Sequence, residues 1–175
     1  MSLIDKVNGY DLVYKWFDYL KSQGHFINAF VIMPNHVHAV ISFIETEQSI
    51  NSIIGNGKRF MAYDIIKRLK ENNELALLSS LADAVEKKRK ANNKKHEVWE
   101  ISFDWKHCSN YKFTQQKMDY ININPCKGKW NLCEVPEQYQ HSSARYYLTG
   151  EHGIYEVTNV AEMKDKIFVL KGESF

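Results

Sequence analysis

The chain has no apolar run approaching the ~20 residues that a membrane-spanning helix needs. Its first residues, MSLIDKVNG, have neither the basic start nor the apolar stretch of a secretory signal. These absences predict a cytoplasmic protein with no membrane partner. Cysteine is scarce: Cys108, Cys126 and Cys133 are an odd number without CxxC spacing, which argues against a disulfide framework and against a zinc knuckle. They are expected to be reduced packing residues. Charge of one sign is also missing overall, because the formal net charge is only +2. No internal repeat is visible, and the only biased segment is a Lys-rich stretch.

The 175 residues are enough for one domain, 1–175, to bury a core without staples. The small net charge hides an uneven distribution. Residues 58–95 hold eleven Lys or Arg against five acids, and residues 106–129 hold five against one, so the remainder is net negative. The runs GKR at Gly57 to Arg59 and EKKRKANNKK at Glu86 to Lys95 fit a solvated helix face and loop as well as a surface for a nucleic-acid backbone.

Periodicity predicts an α+β order of elements. Asp11 to Ser22 carries Leu12, Val13, Trp16, Phe17 and Leu20 at helical spacing, and Gly24 is a stop signal. Phe26 to Met33 and His36 to Phe43 are rich in Val, Ile and Phe around the turn pair Pro34-Asn35, which predicts a β-hairpin. Helices follow over 51–70 and 77–85, then a loop over 87–96. A strand is expected over 96–103, and a helix over 114–124 stopped by Pro125 and Gly128. Beyond Trp130 the signals weaken.

The chemistry concentrates in two places. In FVIMPNHVHAVISF, Phe30 to Phe43, His36 and His38 are two apart on a strand, so they share a face while Val37 turns to the core. Such a pair can share one metal ion, although an exposed or hydrogen-bonded pair at a strand start has the same spacing. In KFTQQKMDYININPCKGKW, Lys112 to Trp130, Tyr120 and Asn124 lie one helical turn apart, with Phe113 and Lys117 near the same stripe. A phenol, an amide oxygen able to bind a metal, and an amine then line one face. A boundary tyrosine packing its ring is the alternative.

Together, MPNHVHAVI and DYININPCKGKW resemble the histidine-hydrophobic-histidine motif and the tyrosine helix of single-tyrosine HUH endonucleases. These are the transposases of insertion sequences and the REP-associated tyrosine transposases. The resemblance spans roughly Tyr10 to Tyr147, including GNGKR and HSSARYY. It implies an antiparallel, ferredoxin-like sheet with helices packed on it, and an enzyme that cuts and rejoins single-stranded or hairpin DNA. It also implies Tyr120 as nucleophile and His36, His38 and Asn124 as ligands of a divalent metal; these ligand types suit Mg²⁺ or Mn²⁺ and do not exclude Zn²⁺. Charge and placement add Lys58, Arg59, Lys117, Lys127 and Lys129 as candidate DNA contacts. Two other readings stand beside this one: a domesticated binder of DNA hairpins that no longer cuts, and an unrelated metal hydrolase using His36, His38 and Asp104.

One departure from the family shapes a further expectation. Family members carry a strand before the first helix, beside the histidine strand, whereas MSLIDKVNG has no strand pattern. The first strand is therefore expected to be absent, the start of the chain displaced, and the uncovered sheet edge paired in a homodimer or by another covering contact.

Overall fold

The computed structural model describes residues 1–85, 93–100 and 103–163. At its centre β1 (Phe26–Ile32) and β2 (Val37–Ser42) form a two-stranded antiparallel sheet. Pro34 presets the turn, and the Met33 amide donates to the His36 carbonyl at 2.8 Å across it. Val31 then faces His38 and Ile32 faces Val37. The register shifts between Ile27 and Ala29, and Asn28 at that irregularity is fully buried. Its amide donates to the Thr158 carbonyl at 2.9 Å and its oxygen accepts from the Ser42 hydroxyl at 2.6 Å, so the burial leaves no polar atom stranded.

Both faces of the hairpin are covered, which is why β1 is apolar at every position but Asn28. On one face Ile27, Phe30 and Ile32 pack with Val13, Phe17 and Leu20 of α2 (Tyr10–Ser22) and with Ile65 and Leu69 of α3 (Ile50–Glu71). On the other, Ala29, Val31, Met33 and Val40 pack with Met118 and Ile121 of the later helix over Tyr111–Ile123. The sheet is thus the middle layer of three, and its alternation delivers different side chains to each side.

Local chemistry sets the helix ends. α1 (Leu3–Lys6) buries Leu3 and Ile4, so the first nine residues contain a short helix and no strand, as expected. The chain leaves α2 through Gly24 at φ +85°, and the His25 amide returns to the Leu20 carbonyl at 3.0 Å. Ser49 caps α3 by accepting from the Ser52 amide. Gly57, inside that helix, is required by packing: a Cβ there would meet the Trp16 indole at 2.3 Å. Arg68 of α3 grips Asp11 of α2 through two bonds of 2.8 and 2.6 Å, and this pairing holds the Asp11 carboxyl down at about 2. Among the described residues the next helices are α4 (Leu75–Asp83) and α5 (Tyr111–Ile123), the latter capped by Asn110 accepting from the Phe113 amide at 2.9 Å.

The strand expected over 96–103 is corrected: residues 96–100 and 103 lie in no strand, and 101–102 fall outside the described residues. What reads as alternation there is packing against a helix. Val98 and Trp99 lean on the core, and the Trp99 indole N–H donates to the Lys58 carbonyl on α3 at 2.8 Å. Of the loop expected over 87–96, residues 93–96 are irregular and 87–92 lie outside the described residues.

The weakly patterned end of the chain supplies a cover for the sheet. The Ile32 amide donates to the His141 carbonyl at 2.9 Å, the Ser143 amide to the Phe30 carbonyl at 3.0 Å, and the Thr158 amide to the Ile27 carbonyl at 2.9 Å. The segment leading into α6 (Ala144–Thr149) therefore runs along the outer edge of β1 and satisfies it within the chain. Among the described residues β2 pairs with β1 alone. No helix of the described residues is long and apolar enough to cross a membrane.

Candidate active site

Strand alternation places His36 and His38 on the α5 side of the hairpin, where Val40 meets Met118 and Ile121. Their ring centroids are 4.7 Å apart with planes at 80°. From α5, the Tyr120 ring comes to 5.3 Å from the His38 ring at 79°. The helix buries Thr114, Met118, Ile121 and Asn122, so Tyr120 lies beside its buried stripe and stays 53 % exposed. A phenol with that exposure is open to a polymer arriving from solvent.

The turn that builds the hairpin also orients a ring. Asn35 Oδ1 lies 2.6 Å from His36 Nδ1, and an amide oxygen only accepts, so Nδ1 carries the proton. The tautomer this selects leaves Nε2 with a lone pair for a metal. Burial, and then the positive charge of Lys129, hold His36 below its ordinary pKa. Burial, then His36 and Lys117, push His38 down to about 4. Both rings are neutral at pH 7, the form that binds a cation.

The two lysines that depress the histidines are those the sequence singled out near them. Lys117 lies over the Phe113 ring at 5.0 Å and Lys129 over the Trp130 ring at 5.1 Å. Lys127 is exposed on the same segment. Asn124 follows Tyr120 by one turn, at the C-cap of α5 with φ −54° and ψ −42°. The chain passes through Pro125 as a 3₁₀ turn, Asn124–Cys126, where the Lys127 amide donates to the Asn124 carbonyl. The Asn124 side chain is half-exposed and has no hydrogen-bond partner among the described residues. The buried amide of α5 is Asn122 instead, whose Oδ1 has no partner there either.

Lys58 and Arg59 stand elsewhere, on α3, which packs against the opposite face of the hairpin. Lys58 donates to the Glu100 carbonyl at 2.6 Å and the Arg59 guanidinium lies over the Phe60 ring at 5.1 Å. Asp104 is exposed and paired with Lys106 at 3.2 Å. Among the described residues no three His, Cys, Asp or Glu side chains gather as a metal-binding group.

Two features escaped sequence reasoning. The orienting role of Asn35 was concealed in a turn signal. Cys126 and Cys133, seven apart, bring their sulfurs to 3.3 Å, and burial together with Cys126 pushes the Cys133 thiol up to about 12. Compared with known protein families, curated proteins and solved structures, the chain matches none.

Proposed function

We propose that the protein cuts and rejoins single-stranded DNA in the manner of the single-tyrosine HUH transposases, with the hairpin as the histidine-bearing part of a ferredoxin-like sheet. The contact between the His36, His38 and Tyr120 rings carries this reading: two neutral imidazoles sharing a face, with an exposed phenol against one of them. The donor set fits a divalent cation, because Asn35 leaves the His36 Nε2 lone pair available and Asn124, a half-buried residue one turn from Tyr120, carries an amide oxygen. Bound by His36, His38 and Asn124, Mg²⁺ or Mn²⁺ would neutralise charge on the scissile phosphate.

The chain's own groups do the remaining work. Lys117 and Lys129 attract the DNA backbone toward the histidines. Tyr120 loses its phenolic proton to solvent and attacks phosphorus in line. The new bond joins Tyr120 Oη to the 5′ phosphate, and the bond to the 3′ oxygen breaks to release a 3′ hydroxyl. Attack by a 3′ hydroxyl on the phosphotyrosine reverses the step, so rejoining consumes no nucleotide.

The test is incubation with single-stranded DNA from the flanks of the protein's own gene, with Mg²⁺ or Mn²⁺, followed by denaturing electrophoresis. A covalent adduct that disappears in Tyr120→Phe while binding persists is the expected result. An adduct of undiminished yield from the Phe variant removes Tyr120 as nucleophile. Tight binding without any adduct from the unaltered protein would favour the hairpin-binding reading.

A further inference from the structure

On the far side of the hairpin from Tyr120, α3 and residues 93–100, 103 and 105 enclose an open groove of about 1130 Å³. Its charge is one-sided: six Lys or Arg side chains line it against three glutamates. Two of those glutamates are already engaged, Glu71 by Lys67 at 3.9 Å and Glu97 by Lys94. Arg59, Lys70 and Lys95 have no carboxylate partner among the described residues. The ammonium groups of Lys70 and Lys95 both bear on His96, which burial first and these charges second hold below its ordinary pKa. Positive charge is therefore concentrated inside the groove as well as along its rim.

The groove is also aromatic. Trp99 is committed to the fold through its bond to the Lys58 carbonyl and forms part of the floor. Tyr63 and Trp105 are different, at 63 % and 42 % exposed, and each presents ring surface that the fold does not use. Exposed rings beside uncompensated cations suit a polyanion with flat, unpaired faces. A duplex stacks its bases against one another and offers such rings nothing to cover. An acidic peptide would satisfy the cations and leave the rings wet.

We infer that this groove binds single-stranded nucleic acid, with bases stacked on Tyr63 and Trp105 and phosphates held by Arg59, Lys70 and Lys95. It is a second contact surface, separated from Tyr120 by the hairpin, and its evidence is independent of the cutting reading. A strand held there is gripped away from any point of cleavage, so affinity and chemistry are separable by mutation.

Fluorescence anisotropy with a labelled oligothymidylate of about 20 nucleotides tests this on the full chain. Tyr63→Ala with Trp105→Ala is expected to weaken binding by about ten-fold or more, and Tyr63→Phe with Trp105→Phe to restore it, because only the rings are needed. Lys70→Gln with Lys95→Gln is expected to lower the slope of log affinity against log salt by about one to two units. The inference is overturned if the alanine pair binds normally, if a duplex of equal length binds as tightly, or if polyglutamate competes as well as the oligonucleotide. Loss of binding confined to Lys117 and Lys129 variants would also overturn it, while leaving the cutting reading in place. Adduct formation by the groove variants at saturating DNA would separate the two readings from the other side.

Discussion

Two histidine and tyrosine clusters flank the hairpin, built from the same residue types to opposite ends. In one, the Tyr14 hydroxyl meets His141 Nδ1 at 2.9 Å, Tyr10 stacks on the His141 ring at 3.7 Å, and the Tyr139 hydroxyl donates to the Ile32 carbonyl at 2.8 Å. Every polar atom named there has a partner, and the cluster fastens the 139–143 segment to α2 and to the edge of β1. In the other, Tyr120 faces solvent and its hydroxyl has no hydrogen-bond partner among the described residues. Satisfaction separates a cluster closed by its own bonds from one left open: bonds made within the fold are not available to a ligand.

The comparison is broken most decisively at the phenols. Tyr120→Phe is expected to abolish the covalent DNA adduct and to change folding stability by no more than about 0.5 kcal/mol, since an exposed hydroxyl without a partner is removed. Tyr14→Phe should do the reverse, leaving adduct formation intact and costing about 1 kcal/mol through the lost bond to His141. Denaturant titration beside the adduct assay reads both. Equal behaviour of the two variants in either assay would erase the distinction.

A larger structural loss is expected at His141 itself. His141→Ala removes the ring that Tyr10 stacks on and the partner of the Tyr14 hydroxyl, a combination worth about 2 to 3 kcal/mol in a packed setting. The corresponding change at His36, half-buried at the hairpin turn, should cost less stability and instead remove metal binding. Chemical denaturation of the two alanine variants, with and without Mn²⁺, tests the contrast.

The same contrast explains how far the sequence could be read. The hairpin, its Pro34-Asn35 turn and the helices bearing Trp16, Ile65 and Tyr120 were legible because each follows a local period or turn signal. The resemblance implied roles for Tyr120 and the histidines in one site, but the ring contact between His38 and Tyr120 was not legible, since no periodicity relates residues 82 positions apart. The His141 cluster was invisible for another reason. Residues 139–143 bind the sheet edge through backbone atoms and isolated aromatic contacts, which leave no repeating pattern. The apparent strand at 96–103 erred conversely, because Val98 and Trp99 are apolar for the sake of α3.

Within the open cluster, Asn35 sharpens the comparison further. It is expected to act on the metal only through His36, so Asn35→Ala should weaken Mn²⁺ affinity by about ten-fold to a hundred-fold, the range for partners that fix a ligating imidazole. Asn35→Asp, which keeps an acceptor at the same place, should recover most of it. Calorimetric titration of the three proteins decides the matter, and an unchanged affinity in the alanine variant would assign Asn35 to the turn alone.

The smallest expected effect is the dependence of stability on pH, and it tests whether the bonded cluster is as closed to protons as its contacts imply. Burial lowers the pKa of His141, and His25 shares the same cause. A histidine whose pKa falls on folding stays neutral in the native state while the unfolded chain takes up a proton near pH 6.5. Its stabilising contribution is therefore complete above about pH 6.5 and is lost as pH falls from there toward the folded value. Asp11, held at about 2 chiefly by its bond to Arg68, contributes above about pH 4 and loses that contribution only as pH falls toward 2. Between pH 7 and pH 5 the decline should thus come from histidines, and the melting temperature should fall over that interval. His141→Gln, although less stable at pH 7, should show a shallower decline, because one proton-linked group has been removed. A slope equal to that of the unaltered protein would mean that His141 takes up its proton as readily in the folded state as in the unfolded one.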